Sequence, residues 1–578
     1  METLEESKFN IHYVKQHKID LKELEKNYQQ NPEDIDHEYN PFHINNLQNY
    51  NPIYSLFFDL TEKSFNKIAL NHKFHFINMN TVMHSETKEE LNQPVFIKYS
   101  PLIDPIRYMA GKYKDDMDKL QLLPNPFSNQ DTFPKINYYN NTSYTDNFFS
   151  FLSSKILHQH NFTNGIDYYG SFLGVQKKFK TNISDDLDYL NSSDYFSEKV
   201  NKLFTVSINE EKTGFLNFGS RGNKKKLQIE DTDEYPIIDD LDELDLEIIN
   251  ENDNNIESDE LIYEKENKLN VSDTSSSDSS NNSETNYSDD DKSNEGSQTE
   301  DEDEDQDEDE DEENWGTESD DSNDYTQSDD NQYSFINNFP LQLICLEKCD
   351  GTLDELFERN EVGIDNGAAY LMQIIMTLIA YQKVFHFTHN DLHTNNIMYI
   401  QTDKKFLYYR FENKVYKVPT YGKIFKIIDF GRSIYKFNGH LFFSDSFASG
   451  GDGATQYNCE PYMNENKPRI EPNYSFDLSR LGASIYDFII DNDKHPERFD
   501  ELQKTIYRWC LDDNDKNILY KHDGRERYPN FKLYKMIART VHKHTPQDQL
   551  NFPLFQQFLV KKDTIDNIMD IDAMPRYI

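Results

Sequence analysis

FTHNDLHTNNIMYI, residues 387–400, sets two histidines, one aspartate and three asparagines between apolar residues. Three readings compete for it: a metal site, a buried polar turn, and a catalytic loop. The metal reading draws on His386, His389 and His393, whose spacing suits no common zinc motif. The turn reading rests on Asx bonds to the local backbone. The flanking sequence has to decide.

Upstream, AAYLMQIIMTLIA at 368–380 is apolar all round but shorter than the ~20 residues of a membrane span, so it predicts a buried helix. Downstream, KKFLYYRF and KVYKV flank Glu412-Asn413, the pattern of a hairpin. KIFKIIDFG at 423–431 then predicts a buried strand ending in a turn with an acid at its tip. Further back, KIALN, HKFHFIN and PVFIKY predict strands between 65 and 100. Phe148, Phe151, Leu152 and Ile156 have helical spacing, and YYGSFL at 168–173 and LQLICLEK at 341–348 are strand-like. A strand-rich part followed by a mostly helical one is an α+β arrangement.

The net charge of -46 over 578 residues is concentrated in one segment. Residues 231–330 hold 42 Asp and Glu against 3 Lys, leaving about seven negative charges for the rest of the chain. Within it, 13 of the 14 residues from Glu300 to Glu313 are acidic. Such a stretch buries too little apolar surface to offset its ordering entropy, so 229–335 is expected to be disordered. It reads as a solubilising loop or a recruiter of basic partners. The remainder, with 37 Tyr and 40 Phe, can build a large core. Four cysteines without zinc-type spacing suit a reducing compartment, with Cys345 and Cys349 as plain thiols on or near a strand. METLEESKFN lacks the basic and apolar regions of a signal peptide, so an intracellular location is expected, with no membrane partner and no direct nucleic-acid binding.

Taken together, H-x-D-L-x-x-x-N at His389, Asp391, Leu392 and Asn396, followed by a strand and Asp429-Phe430-Gly431, resembles the catalytic core of protein kinases. Other pieces fall in the same order. PVFIK resembles the strand that carries the phosphate-pairing lysine, here Lys98. LICLEKCDGTLDEL resembles the fifth strand and hinge, with Glu347 to Cys349 at the nucleotide, and FDLSRLGASIYDF resembles the helix whose opening acid, Asp477, braces the catalytic loop. The Asn- and Tyr-rich style, with YYGSF, LHTNNIMY and VPTYG, looks like serine/threonine kinases of giant DNA viruses of the mimivirus type. The polar-turn reading leaves the DFG and VFIK pieces unexplained.

The resemblance implies a bilobal kinase-like fold: an N-terminal extension (1–64), a small β-rich N-lobe (65–348) interrupted by the acidic insertion, and a larger, mainly α-helical C-lobe (349–578). It implies ATP- and Mg²⁺-dependent transfer of the γ-phosphate to a protein hydroxyl. Asp391 would orient that hydroxyl, His393 would stand near the phosphate, and Asn396 and Asp429 would hold Mg²⁺. Lys98, Glu347 and Cys349 would bind ATP.

The chain also departs from the family pattern. Residues 66–93 contain no glycine, so the glycine-rich loop over the phosphates is missing. The helix acid that pairs the lysine should fall near Ser153 or Ser154, and no acid lies between Asp146 and Asp167. Lys98 is therefore expected to be unpaired or to use Glu89, Glu90 or Asp104. Asn390 replaces the arginine that binds an activating phosphate, and His393 replaces a lysine, which echoes small-molecule kinases. Cys459-Glu460-Pro461 and Ile470-Glu471-Pro472 are candidates to close the activation segment. A pseudokinase scaffold and a small-molecule kinase are the two rival functions.

Overall fold

The computed structural model describes residues 13–15, 19–29, 39–207, 332–490, 495–522, 524–561 and 567–578. The acidic segment expected to be disordered lies outside the described residues up to 331.

The central element is an antiparallel sheet of five strands: β1 (Ile44–Gln48), β2 (Val95–Pro101), β3 (Tyr168–Asn182), β4 (Phe204–Ser207) and β5 (Tyr333–Glu347). The order is β1-β3-β5-β2, with β4 on the far end of β5. Residues 341–347 are buried on both faces, which explains their nearly continuous apolar run. Two boundaries need correction. Order resumes at Tyr333, so the last residues assigned to the disordered insertion are strand, held by register to Asn182 and Ser207. The division at residue 64 is not structural, because β1 comes from the supposed extension and pairs with β3. A Cβ at Gly174 would meet Ile44 Cγ2 at 2.3 Å, so this glycine permits that pairing.

The glycine-free stretch folds into a three-stranded meander, Phe74–Asn78, Thr81–His84 and Glu90–Asn92. It does not extend the sheet beyond β2. Its turn instead accepts amides from the approach to β2, Gln93 N to Asn80 O and Val95 N to Met79 O, both at 2.9 Å. Among the described residues, β2 therefore has β5 as its single strand partner.

Helix α1 (Thr142–Gln159) starts at Asn141, whose side chain accepts from Ser143 N. The apolar run becomes α2 (Ile364–Phe385), which ends at His386 in the left-handed conformation, φ 51°. It has the length and apolarity of a membrane span, yet 94% of its most apolar window is buried in the molecule. Helices α3 (Phe476–Ile489) and α4 (Lys532–Thr540) pack on each other.

The part beyond 349 is less helical than expected. β6 (Gly351–Thr352), β7 (Ile397–Gln401) and β10 (Lys423–Ile427) form one sheet. The predicted hairpin, β8 (Phe406–Phe411) and β9 (Lys414–Pro419), turns at Glu412 and Asn413, both at positive φ. Met569–Asp570 and Leu559–Val560 pair with its two edges. Asp572 accepts from Glu412 N and Asn413 N, and Asp570 pairs with Arg410.

An aromatic column joins α1 to the polar loops. Phe149 lies 4.2 Å from Phe387, 4.7 Å from Phe430 and 5.1 Å from Tyr381 between ring centroids. Truncating such a fully buried ring costs about 3–5 kcal/mol.

Candidate functional site

The quoted stretch leaves α2 at His386 and passes through Asn390, φ 66°, into a single 3₁₀ turn, Thr394–Asn396. Short-range bonds give it shape. Asn396 Nδ2 donates to Asp391 O at 3.0 Å and lies 3.0 Å from His393 Nε2. Long-range bonds place it. The expected brace, Asp477 at the start of α3, accepts from His389 N and Asn390 N, each at 2.9 Å. His389 Nε2 bonds Ile428 O, and its ring lies 5.8 Å from Phe430. Among the described residues no three His, Cys, Asp or Glu side chains form a metal-holding group, and His386, His389 and His393 do not come together as one.

Lys98 is paired, against expectation. Its Nζ lies 2.9 Å from Asp146 Oδ2 and 2.7 Å from Asp429 Oδ1. Asp146 Oδ1 accepts from Phe430 N at 2.9 Å, so one carboxylate ties the lysine to the Asp-Phe-Gly turn. The position expected for the acid, near Ser153 or Ser154, lies two helical turns too far along, because α1 meets Lys98 through its first turns. Ser153 instead bonds Tyr381 and Ile166 N, and Ser154 bonds Asp167. Asp104 caps a short helix at Arg107, while Glu89 and Glu90 are exposed.

The electrostatics of the acids differ. Burial pushes Asp146 up, against the pull of Lys98. For Asp429 burial also acts upward, but Lys98 outweighs it and holds the carboxyl below its ordinary value. Burial likewise works against Asp391, and Arg432, His393, Arg480 and the Tyr534 hydroxyl overcome it, keeping the carboxyl well below the usual range. Asp391 is thus firmly ionised at neutral pH. Lys98 is held above its ordinary value because Asp146 and Asp429 outweigh its burial. One ammonium between two carboxylates leaves negative charge facing the cavity. The Oδ2 of Asp429, which sits at φ 62°, takes no hydrogen bond from the described residues. With the Asn396 amide oxygen it supplies hard oxygen ligands of the kind Mg²⁺ takes alongside phosphates.

Lys98, Glu347, Cys349, Asp391, Asn396 and Asp429 all line one cavity of about 1880 Å³. Of the predicted site residues, His393 alone does not line it. The Glu347 carboxylate is tied through one oxygen, Oε1, at 2.5 Å from Lys426 Nζ and 2.8 Å from Asp167 N. Burial raises the Cys349 thiol, which keeps it protonated.

Sequence reasoning missed the residues that close the site. Asp445 accepts from Thr142 N at 3.0 Å and Thr142 Oγ1 at 2.9 Å, and pairs with Lys135 at 3.2 Å. It thereby sets a carboxylate at the positive end of α1, the helix that carries Asp146. Arg432 pairs with Asp452 and stands 3.8 Å from Asp391 Oδ2. Asn390, in the usual arginine position, accepts from Tyr457 OH at 2.7 Å. Both candidate closing acids, Glu460 and Glu471, pair with Arg469 at the surface. No protein-family model and no curated protein matches this chain.

Proposed function

We propose that the chain is an ATP- and Mg²⁺-dependent phosphotransferase with a two-lobed kinase-like fold, acting on a protein Ser or Thr hydroxyl. The observation that supports it best is the Lys98–Asp146–Asp429 ion-pair triangle, in one cavity with Asp391 and Asn396. The three charged groups come from β2, α1 and the turn after β10, so local sequence does not force them together.

In this reading Lys98 holds the α- and β-phosphates, and the cavity wall formed by Val95 and residues 346–350 receives the base. The Cys349 amide donates to no acceptor among the described residues, which suits an adenine edge. Asp429 and Asn396 would hold Mg²⁺, which when bound neutralises phosphate charge. Asp391 accepts the hydrogen bond of the substrate hydroxyl and orients it for in-line attack. Asn390 at the arginine position cannot pair a phosphate as a guanidinium does, so activation-loop phosphorylation matters less, and the Arg432–Asp452 and Lys135–Asp445 ion pairs tie this region in its place.

One observation favours a scaffold without catalysis: no glycine-rich hairpin lies along β2 among the described residues. Radiolabelled ATP and Mg²⁺ with the wild-type chain beside Asp391→Asn separates the two. Transfer by the wild type that collapses in the variant supports the enzyme; equal signals from both sink it.

A further inference from the structure

Asp391 receives one hydrogen bond that neither the motif nor the proposed chemistry requires. Tyr534 OH donates to Asp391 Oδ1 at 2.6 Å. Tyr534 stands on α4, 143 residues along the chain, and is buried. Its ring is fixed on several sides. Phe531 stacks on it at 5.3 Å, and the guanidinium groups of Arg480 and Arg432 lie 4.9 Å and 5.4 Å from its centroid. Such cation–π contacts hold a ring without competing for its hydroxyl.

Two roles fit a hydroxyl on this carboxylate. It could occupy the place of the substrate hydroxyl and block the site, or it could steady Asp391 from behind. Location decides between them. Asp391 lines the cavity and Tyr534 does not, so the hydroxyl reaches the carboxylate from the protein side. Arg432 approaches the other oxygen, Oδ2. Oδ1 is thus anchored by a neutral donor while the carboxylate keeps a face on the cavity.

We propose that Tyr534 is a positioning residue, whose hydroxyl fixes the rotamer of Asp391 so that its carboxylate is already aimed at an incoming substrate hydroxyl. This rests on the phosphotransferase reading. A charge-assisted bond to a buried carboxylate restricts it strongly, and small misplacements of a catalytic group are costly in rate. The bond acts on the orientation of Asp391, not on the nucleotide, so kcat and the KM for ATP should separate.

The test uses the full chain with ATP, Mg²⁺ and casein or histone as acceptor. Tyr534→Phe keeps the ring and its stack and removes only the hydroxyl. It should lower kcat on the order of tenfold while leaving the KM for ATP within about twofold. Ile537→Val trims the same helix at a fully buried position that does not line the cavity and serves as the packing control. It should lower the melting temperature with kcat unchanged. Three results overturn the inference alone: Tyr534→Phe with wild-type kcat, Tyr534→Phe with raised kcat, which would mean a blocking role, or an equal loss of kcat in both variants. A wild-type chain that transfers no phosphate overturns the phosphotransferase reading and this inference with it.

Discussion

The two walls of the cavity hold their acids in opposite ways. On the loop wall, Asp391 and Asp429 are each outmatched by neighbouring cations and stay ionised. On the wall built by α1 and the segments flanking it in the chain, burial wins: Asp146 and Asp104 are raised, and Asp186, just past β3, is pushed up to about 7, with Asp104 and Asp185 adding to the effect. The loop wall therefore carries its charge permanently. The opposite wall holds acids that a bound cation or a pH change can still shift. Lys98 bridges the two, and the Asp146 carboxylate adds a second tie through Phe430 N.

The sharpest way to break this contrast is on the loop wall. Asp391→Asn should cut phosphotransfer by roughly 10²-fold or more, the usual contribution of a positioned proton acceptor. ATP with Mg²⁺ should still raise the melting temperature of that variant. A variant that keeps wild-type turnover would overturn the catalytic role proposed for Asp391.

Next comes the bridge. Asp146→Ala should lower kcat/KM by about 10- to 100-fold and shrink the melting-temperature rise given by ATP and Mg²⁺, because Lys98 then pairs with Asp429 alone. Adding Ser154→Glu should not restore it, since Ser154 faces Asp167. Rescue by that second change would restore the register first expected from the sequence.

The opposite wall makes a pH prediction. The folded state holds the Asp186 proton more tightly than the unfolded chain, whose value is 3.8. Its contribution is therefore complete below about pH 4 and is lost as pH rises through about 7. Asp186→Asn should stabilise the protein at pH 8 by roughly 2 kcal/mol and change little at pH 4, read by urea melts at both pH values. Equal effects at the two would remove the contrast between the walls. The smallest effect belongs to Asp445→Asn, which weakens the clamp on α1. It should cost about 1 kcal/mol of stability, with only a few-fold loss of activity.

The same contrast explains what the sequence made legible. The 387–400 loop could be read because its shaping bonds, such as Asn396 to Asp391, span five residues or fewer. The hairpin at Glu412-Asn413 and the apolar strand before Asp429 are local in the same sense. The partner of Lys98 could not be read. Asp146 was visible as an acid, but its role depends on how far along α1 the sheet docks, which no local pattern encodes. Tyr534 and Asp445 were harder still, since each meets its target across 143 and 303 residues. β1 was lost for a different reason: its five residues, INNLQ, are too polar to show a strand period.

The strand at Met569–Asp570 has a consequence for the timing of synthesis. It completes the hairpin sheet, and Asp570 and Asp572 meet Arg410 and Glu412 across 160 residues of chain. At a translation rate of about 5–20 residues per second, the hairpin waits roughly 10–30 s for that strand. During this interval the edge of β8 is open to neighbouring nascent chains, and Lys383 of α2 has not yet met the carbonyls of Ile571 and Asp572. A ribosome stalled anywhere in those 160 codons would hold a chain whose hairpin edge is open and whose helix α2 is still unfastened.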